Sequence, residues 1–116
     1  MSFSISLSGL RAARIGMDVA ANNTANVLST GFKKSRTVHL SGPPPAGGVR
    51  TVVQKIDTPG RPGTADPATG EVRELSNVDL AEEMVSMIVS ERTFQANLQT
   101  VRAEDEMLGN LIDIMA

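Results

Sequence analysis

Residues 80–115 read LAEEMVSMIVSERTFQANLQTVRAEDEMLGNLIDIM, with no proline and one glycine, Gly109. Alternate steps of four and three residues from Leu80 reach eleven positions, nine of them apolar. The apolar positions are Leu80, Met84, Met87, Phe94, Leu98, Val101, Leu108, Ile112 and Met115. This spacing is typical of the contact stripe between helices that wind around one another. The segment therefore predicts one helix of roughly 54 Å at 1.5 Å per residue, which needs a partner helix.

A second helix is predicted from residue 3 to about residue 29. Its apolar stripe follows the same spacing and includes Leu7, Leu10, Met17 and Ala21. Alanines nearby raise the helix propensity and, because they are small, allow a second backbone to approach closely. We expect the stripe of residues 80–115 to pack on this second stripe, within one chain or between neighbouring chains.

Polar residues interrupt the end of this N-terminal helix at Asn22, Asn23 and Asn26. Because side-chain amides compete for backbone hydrogen bonds, one interpretation is a fraying last turn that Gly31 closes in a left-handed conformation. The other interpretation is that the amides hydrogen-bond to neighbouring chains and fix their register, as buried polar residues do in coiled coils. The residues alone favour neither interpretation.

The middle of the chain is rich in proline and glycine. All six prolines lie between residues 43 and 67, so no helix crosses this region. Residues 49–56 predict a β-strand, which pairs either with residues 37–40 or with residues 71–75. We expect two or three short strands here. The C-terminal helix then starts after an N-cap at Ser76 or Asn77.

The predicted fold is mainly α. Residues 1–36 and 77–116 form a discontinuous helical core domain, in which the two long helices pack as an antiparallel coiled coil or helical hairpin. Residues 37–76 form the short segment with the strands. A chain of 116 residues is long enough for one domain with a modest core.

The charges are unevenly distributed along the chain. Residues 1–36 hold five basic residues and one acid, whereas residues 77–116 hold two basic residues and eight acids. The two ends are electrostatically complementary, so they attract each other within one chain or between subunits. Nucleic acid is not an expected partner, because the basic residues are few.

No group of residues predicts catalysis, and we expect neither an enzyme nor a bound metal, cofactor or small-molecule substrate. His39 is the only histidine, and an enzyme would need a pocket around it. The acids Glu104, Asp105 and Glu106 point in different directions on a helix, which predicts a solvated face. The chain has no cysteine, and no apolar run is long enough for membrane insertion.

Two segments resemble signatures of the bacterial flagellar rod and hook proteins, also called axial proteins. Residues 20–27 (AANNTANV) and 29–33 (STGFK) are similar to the N-terminal signature of that family. Residues 76–85 (SNVDLAEEMV) and 91–97 (ERTFQAN) are similar to its C-terminal signature, which residues 105–109 (DEMLG) continue. Residues 48–50 and the proline-rich loop further resemble the small proximal rod proteins.

This resemblance implies a structural subunit of the basal-body rod, the shaft that crosses the periplasm. Such subunits leave the cytoplasm through the flagellar type III export apparatus and polymerise helically, with themselves and other rod or hook subunits, through their terminal helices. The resemblance makes Asn22, Asn23 and Asn26 inter-subunit register residues and Gly31 the turn out of the helix. A soluble helical dimerisation or adaptor module that never enters the filament is the alternative.

Overall fold

The computed structural model describes residues 2–116, which form two helices and four strands. In chain order these are α1 (Ser2–Ala25), β1 (Ser35–Ser41), β2 (Val49–Lys55), β3 (Pro62–Ala65), β4 (Val72–Glu74) and α2 (Leu80–Met115). The predicted architecture, two long terminal helices around a short β-containing middle, is confirmed. The described residues contain one strand more than the two or three that the sequence predicted.

Helix α1 ends at Ala25, earlier than the predicted residue 29, because polar side chains bond to its last carbonyl groups. The Thr24 hydroxyl donates to the carbonyl of Ala20 at 2.8 Å, and the Asn26 amide donates to the carbonyl of Asn22 at 2.9 Å. The chain then turns until Gly31, whose φ of 71° is left-handed, as predicted.

Strands β1 and β2 form an antiparallel ribbon with Ser35 opposite Lys55 and Ser41 opposite Val49. Of the two pairings that the sequence left open, the one with residues 37–40 is therefore confirmed. Strands β3 and β4 form a second antiparallel ribbon. The backbone N–H of Gly31 donates to the carbonyl of Glu74 at 2.8 Å and ties this ribbon to the turn after α1.

Helix α2 begins after Asp79, so the predicted N-cap at Ser76 or Asn77 is wrong. Asp79 has an extended backbone, and its carboxylate accepts a hydrogen bond from the N–H of Ala81 at 3.0 Å. The side chains of Ser76 and Asn77 are engaged elsewhere, as described below. An N-cap residue needs a side chain that is free to bond to the first N–H groups of the helix. Asp79 has such a side chain, so it caps α2.

Helix α1 lies in the middle of the molecule. Helix α2 packs along one side of α1, and the β1–β2 ribbon packs on another. The result is an elongated molecule of 79 × 25 × 16 Å. Its fully buried apolar residues are small: among the described residues they are Ala12, Ala13 and Ala20. Neither described helix is long and apolar enough to cross a membrane.

Candidate assembly surface

The face of α1 that meets α2 consists of small or polar residues repeated every seven positions. One row holds Gly9, Gly16 and Asn23, and the adjacent row holds Ser6, Ala13 and Ala20; all six are buried. Seven residues correspond to about two helical turns, so each row follows one line along the helix. We call this the inner face of α1.

The side of helix α2 that faces α1 carries polar residues at the same seven-residue interval: Glu83, Ser90, Asn97 and Glu104. A Cβ placed on Gly16 would lie 2.6 Å from the Ser90 hydroxyl oxygen, and one on Gly9 would lie 2.7 Å from the Asn97 amide carbon. The helices therefore run antiparallel, and the two glycines leave space for the side chains opposite them. A larger residue at either glycine would push the helices apart.

The predicted apolar stripe lies one residue away from this contact and largely faces outward. Its exposed members are Leu7, Ala21, Leu80, Met84, Met87, Leu108, Ile112 and Met115, and its half-buried members are Leu10, Met17, Phe94, Leu98 and Val101. One residue turns a side chain by about 100° around a helix. Within one chain, the hairpin thus closes through the small residues and not through the predicted stripe. Contact of that stripe with a neighbouring chain stays a prediction.

The outer face of α2 is apolar in two segments, residues 80–89 and residues 107–115. Besides the stripe residues it carries exposed Val85, Ile88, Val89, Met107, Leu111 and Ile114. Exposure of these large side chains lies between 54% and 81%. An apolar surface of this extent is typical of a protein interface. Helix α2 is therefore the principal candidate for contacts with other subunits.

The side chain of Asn23 makes its hydrogen bonds within the chain. Its side-chain N–H donates to the carbonyl of Ser35 at 2.8 Å, and its amide oxygen accepts from the N–H of Ser35 at 3.0 Å. The side chain is 1% exposed, so the predicted inter-subunit role does not fit it. Asn23 instead fixes the start of β1 against α1. Asn22 and Asn26 bond to each other at the end of α1.

Asn77 and Ser76 hold together the segments that meet where α2 begins. The amide oxygen of Asn77 accepts from the N–H of Lys34 at 2.7 Å, and its N–H group donates to the carbonyl of Ile56 at 2.8 Å. The Ser76 hydroxyl donates to the carbonyl of Val27. Side-chain hydrogen bonds, and not strand pairing, therefore hold the chain together where it passes between the ribbons and the helices.

Two ion pairs support the same junction. The ammonium of Lys33 lies 2.6 Å from the carboxylate of Glu74, and that of Lys34 lies 3.4 Å from Glu82. Hydrogen bonds from Lys33 and, second, from the N–H of Gly60 lower the pKa of Glu74 below its ordinary value. The Lys34–Glu82 pair joins the basic and the acidic ends of one chain, as the charge pattern allowed.

Glu104 contradicts the predicted solvated face of the acidic triplet. It is 6% exposed, and one carboxylate oxygen accepts from the Ser6 hydroxyl at 3.2 Å. The other oxygen has no hydrogen-bond partner among the described residues. Asp105 and Glu106 are exposed. The prediction failed at Glu104 because this residue continues the seven-residue row that faces α1.

His39 lies on β1, exposed, with Nδ1 3.1 Å from the Thr51 hydroxyl. It borders a groove of about 330 Å³ that Ser90, Thr93 and several apolar residues also line. Among residues 2–116, His39 makes no hydrogen bond to the hydroxyls of Ser90 and Thr93, so the groove does not bring these hydroxyls onto the imidazole.

Comparison with known proteins identifies the C-terminal region. The family profile described as "Flagellar basal body rod FlgEFG protein C-terminal" matches residues 70–114, which include β4 and almost all of α2. This region of the chain is similar to the flagellar rod and hook family. The resemblance to that family is thereby confirmed, whereas the closer likeness to the small proximal rod proteins stays a prediction.

Individual relatives are similar over comparable lengths. The flagellar hook protein FlgE of Escherichia coli K12 is 40% identical over 52 residues, which are 45% of this chain and 13% of the relative. The flagellar basal-body rod protein FlgG of Bacillus subtilis is 41% identical over 56 residues, 48% of this chain and 21% of the relative. The flagellar hook-basal body complex protein FlhP of Bacillus subtilis is 47% identical over 36 residues, which are 31% of this chain and 13% of the relative. The chain thus matches about a fifth or less of these relatives.

The matched family consists of structural components of the flagellum and is not an enzyme family. The region that carries the match also carries the outer face of α2. Sequence reasoning found this helix and its apolar residues. It missed the inner face, although glycine, alanine and serine at seven-residue intervals in α1 were a readable signal.

Proposed function

We propose that this chain is a structural subunit of the flagellar basal-body rod and polymerises through its terminal helices. The observation that carries the proposal is the exposed apolar outer face of α2, which lies in the region matched by the rod family. Its partners are then further copies of itself and other rod or hook subunits. The predicted stripe, from Leu80 to Met115 on α2 and from Leu7 to Ala21 on α1, is the proposed contact between them.

The amount of exposed apolar surface supports polymerisation. Fully burying one Leu, Ile or Met side chain contributes about 1.5–3 kcal/mol. Association costs about 4–15 kcal/mol in lost freedom of motion. Burial of half a dozen residues of the outer face of α2 offsets that cost. The hairpin itself leaves these residues uncovered, so their stabilising effect is available only to a neighbouring chain.

The exposed charges support contacts between unlike surfaces. Arg11 and Arg14 are exposed on α1, whereas Asp105, Glu106 and Asp113 are exposed on α2. Attraction between the basic helix of one copy and the acidic helix of another orients the subunits on approach. Such a contact joins two different surfaces and does not close on itself. It generates an open helical assembly unless the rotation between copies closes a ring.

The proposal includes export through the flagellar type III apparatus in an unfolded state. The small core supports this step, because its fully buried apolar side chains are alanines and each contributes little free energy to folding. A chain of this kind unfolds at low cost before it enters a narrow channel. The large apolar residues then find their partners after export.

Mass spectrometry of purified hook–basal bodies from the native cell tests the proposal. We expect the chain at a copy number comparable to that of the established rod subunits. The matched control is a preparation from cells in which the gene is deleted. If the chain is absent from basal bodies yet abundant in the cytosol, the rod proposal fails and the adaptor alternative takes its place.

A further inference from the structure

A cleft lies at the end of the molecule where α2 begins. It has a volume of about 300 Å³ and opens between the turn after α1 and the segment before α2. Its apolar lining comprises Val27, Leu28, Leu75, Val78 and Leu80. Leu28 is 89% exposed, more than any other large apolar side chain in the described residues. We call this the end cleft.

The opposite end of the molecule carries an unpaired piece of helix. Helix α2 has 36 residues and α1 has 24, and Ser6 in the second turn of α1 already faces Glu104. Because only four residues of α1 precede Ser6, most of residues 105–115 extend past the start of α1 at Ser2; we call residues 105–115 the overhang. Their large apolar side chains are 49–84% exposed, and a Cβ on Gly109 would meet nothing within 4 Å.

We propose that the overhang of one copy docks in the end cleft of the next copy. This inference rests on the proposed function, since it names the surfaces that join two subunits. The overhang presents Leu111, Ile112 and Ile114 to a cleft whose lining is mainly apolar. Docking removes both exposed surfaces from water, which drives association.

The charges select the end cleft over a second overhang. The overhang contains three acids, Asp105, Glu106 and Asp113, and no base, so two overhangs repel each other. The end cleft contains Arg61, which takes part in none of the ion pairs among the described residues. The cleft also contains Asp79, whose carboxylate accepts from the N–H of Ala81 at the start of α2. Arg61 is therefore the group of the cleft that attracts an acidic helix end.

The two surfaces cannot meet within one chain. Leu80 of the cleft and Met115 of the overhang lie at opposite ends of the same helix, roughly 52 Å apart at 1.5 Å per residue. The contact therefore joins the tail of one copy to the head of another. A head-to-tail contact of this kind propagates from copy to copy and gives a filament unless rotation closes a ring.

Cross-linking between two single-cysteine variants tests the contact, and the absence of natural cysteine removes background. Leu28→Cys and Ile114→Cys are expressed together in one cell, and isolated hook–basal bodies are treated with a short bis-maleimide. We expect cross-links that join position 28 of one copy to position 114 of another. The control replaces Leu28→Cys by Val53→Cys, an exposed site on β2 outside the cleft. It should give no product with position 114.

Other cross-linking results overturn the inference. Products between two positions 114 show that overhangs pair with each other, and products between position 114 and another protein show a different occupant. Normal incorporation without the product of positions 28 and 114 refutes the docking and leaves the proposed function intact. Absence of the unmodified chain from basal bodies refutes the proposed function itself.

If the cysteine variants fail to assemble, exchanging the charges at Arg61 and Asp113 tests the docking of the overhang instead. Arg61→Glu and Asp113→Arg should each lower the copy number in basal bodies by about two- to fivefold, as loss of a surface ion pair does. The double variant restores the pair with reversed signs, so its copy number should return to that of the unmodified chain. A double variant that is no better than the single ones overturns the inference.

Discussion

The inner and the outer face of helix α2 differ in the size and polarity of their residues. Toward α1 the helix presents Glu83, Ser90 and Asn97, whereas away from α1 it presents Met84, Ile88 and other large apolar residues. A globular hairpin has the opposite arrangement, with large apolar residues inside. The inner face sets the distance between the helices, and the outer face holds the surface that gains free energy on burial. Under the proposed function, folding and assembly use different sides of one helix.

Met84→Asp tests the outer face and should have the largest effect. Met84 is 57% exposed, so the free energy of unfolding of the isolated chain should change by no more than about 0.5 kcal/mol. A buried charge in the subunit contact should instead abolish incorporation into basal bodies. Immunoblots of purified basal bodies and swimming assays measure this loss, with Gln99→Asp as the matched control. A Met84→Asp strain that swims normally refutes a role of this face in assembly.

Gly9→Leu tests the inner face. Its side chain would overlap the Asn97 amide, and overpacking of this kind costs about 1–3 kcal/mol. Thermal unfolding followed by circular dichroism should show a lower midpoint and a loss of helix pairing. Gly109→Leu is the control, because a Cβ there meets no atom within 4 Å. It should stabilise the helix by up to about 1 kcal/mol. Equal effects at the two glycines would show that the inner face is not tightly packed.

Asn23→Ala sharpens the comparison at the edge of the inner face. It removes both bonds to Ser35 and leaves buried backbone groups unpaired, at a cost of about 1–3 kcal/mol. Hydrogen exchange of the Ser35 N–H should speed up, because β1 then separates from α1. Asn22→Ala, at an exposed neighbouring position, should leave that exchange rate unchanged. Unaltered protection in Asn23→Ala would instead favour a role between subunits.

The smallest effect concerns pH and the pair of Lys33 with Glu74, away from both faces. Since folding lowers the pKa of Glu74, the pair stabilises the junction fully above the ordinary value of 4.5. This stabilisation is lost as the pH falls through the lower pKa of the folded state. Unfolding midpoints measured across this range should fall less in Glu74→Gln than in the unmodified chain. Glu71→Gln, an exposed acid nearby, should behave like the unmodified chain.

Much of the fold was predictable because periodicity and helix breakers are local properties of the sequence. Both long helices, the strand at residues 49–55 and the turn at Gly31 followed from such patterns. The N-cap was not predictable in the same way. Ser76 and Asn77 are good caps by type, but Val27, Lys34 and Ile56 occupy their side chains. Hydrogen-bond partners this far apart along the chain cannot be identified from a local sequence pattern.

The candidate surface was only partly predictable, and the reason differs from that for the N-cap. Hydrophobic periodicity locates the large apolar residues, but it does not say whether they face the same chain or a neighbour. The hairpin contact depends on Gly9, Gly16 and Ala13, whose small side chains give little hydropathy signal. Glu104 was assigned to solvent because a charged residue on an inner face contradicts the average preference of its type.

The small-residue contact has a consequence for how such a chain evolves. At Gly9 and Gly16 the space is filled by the opposing side chain, so only the smallest amino acids are tolerated there whatever subunit surrounds the chain. The outer face is restricted by its neighbours alone, and a change in it can be matched by a change in the partner. Gene duplication can therefore diversify the outer face into new subunits while the hairpin stays the same. Under the proposed function, the paired helices are then a constant scaffold, and the outer face determines which position in the shaft a subunit occupies.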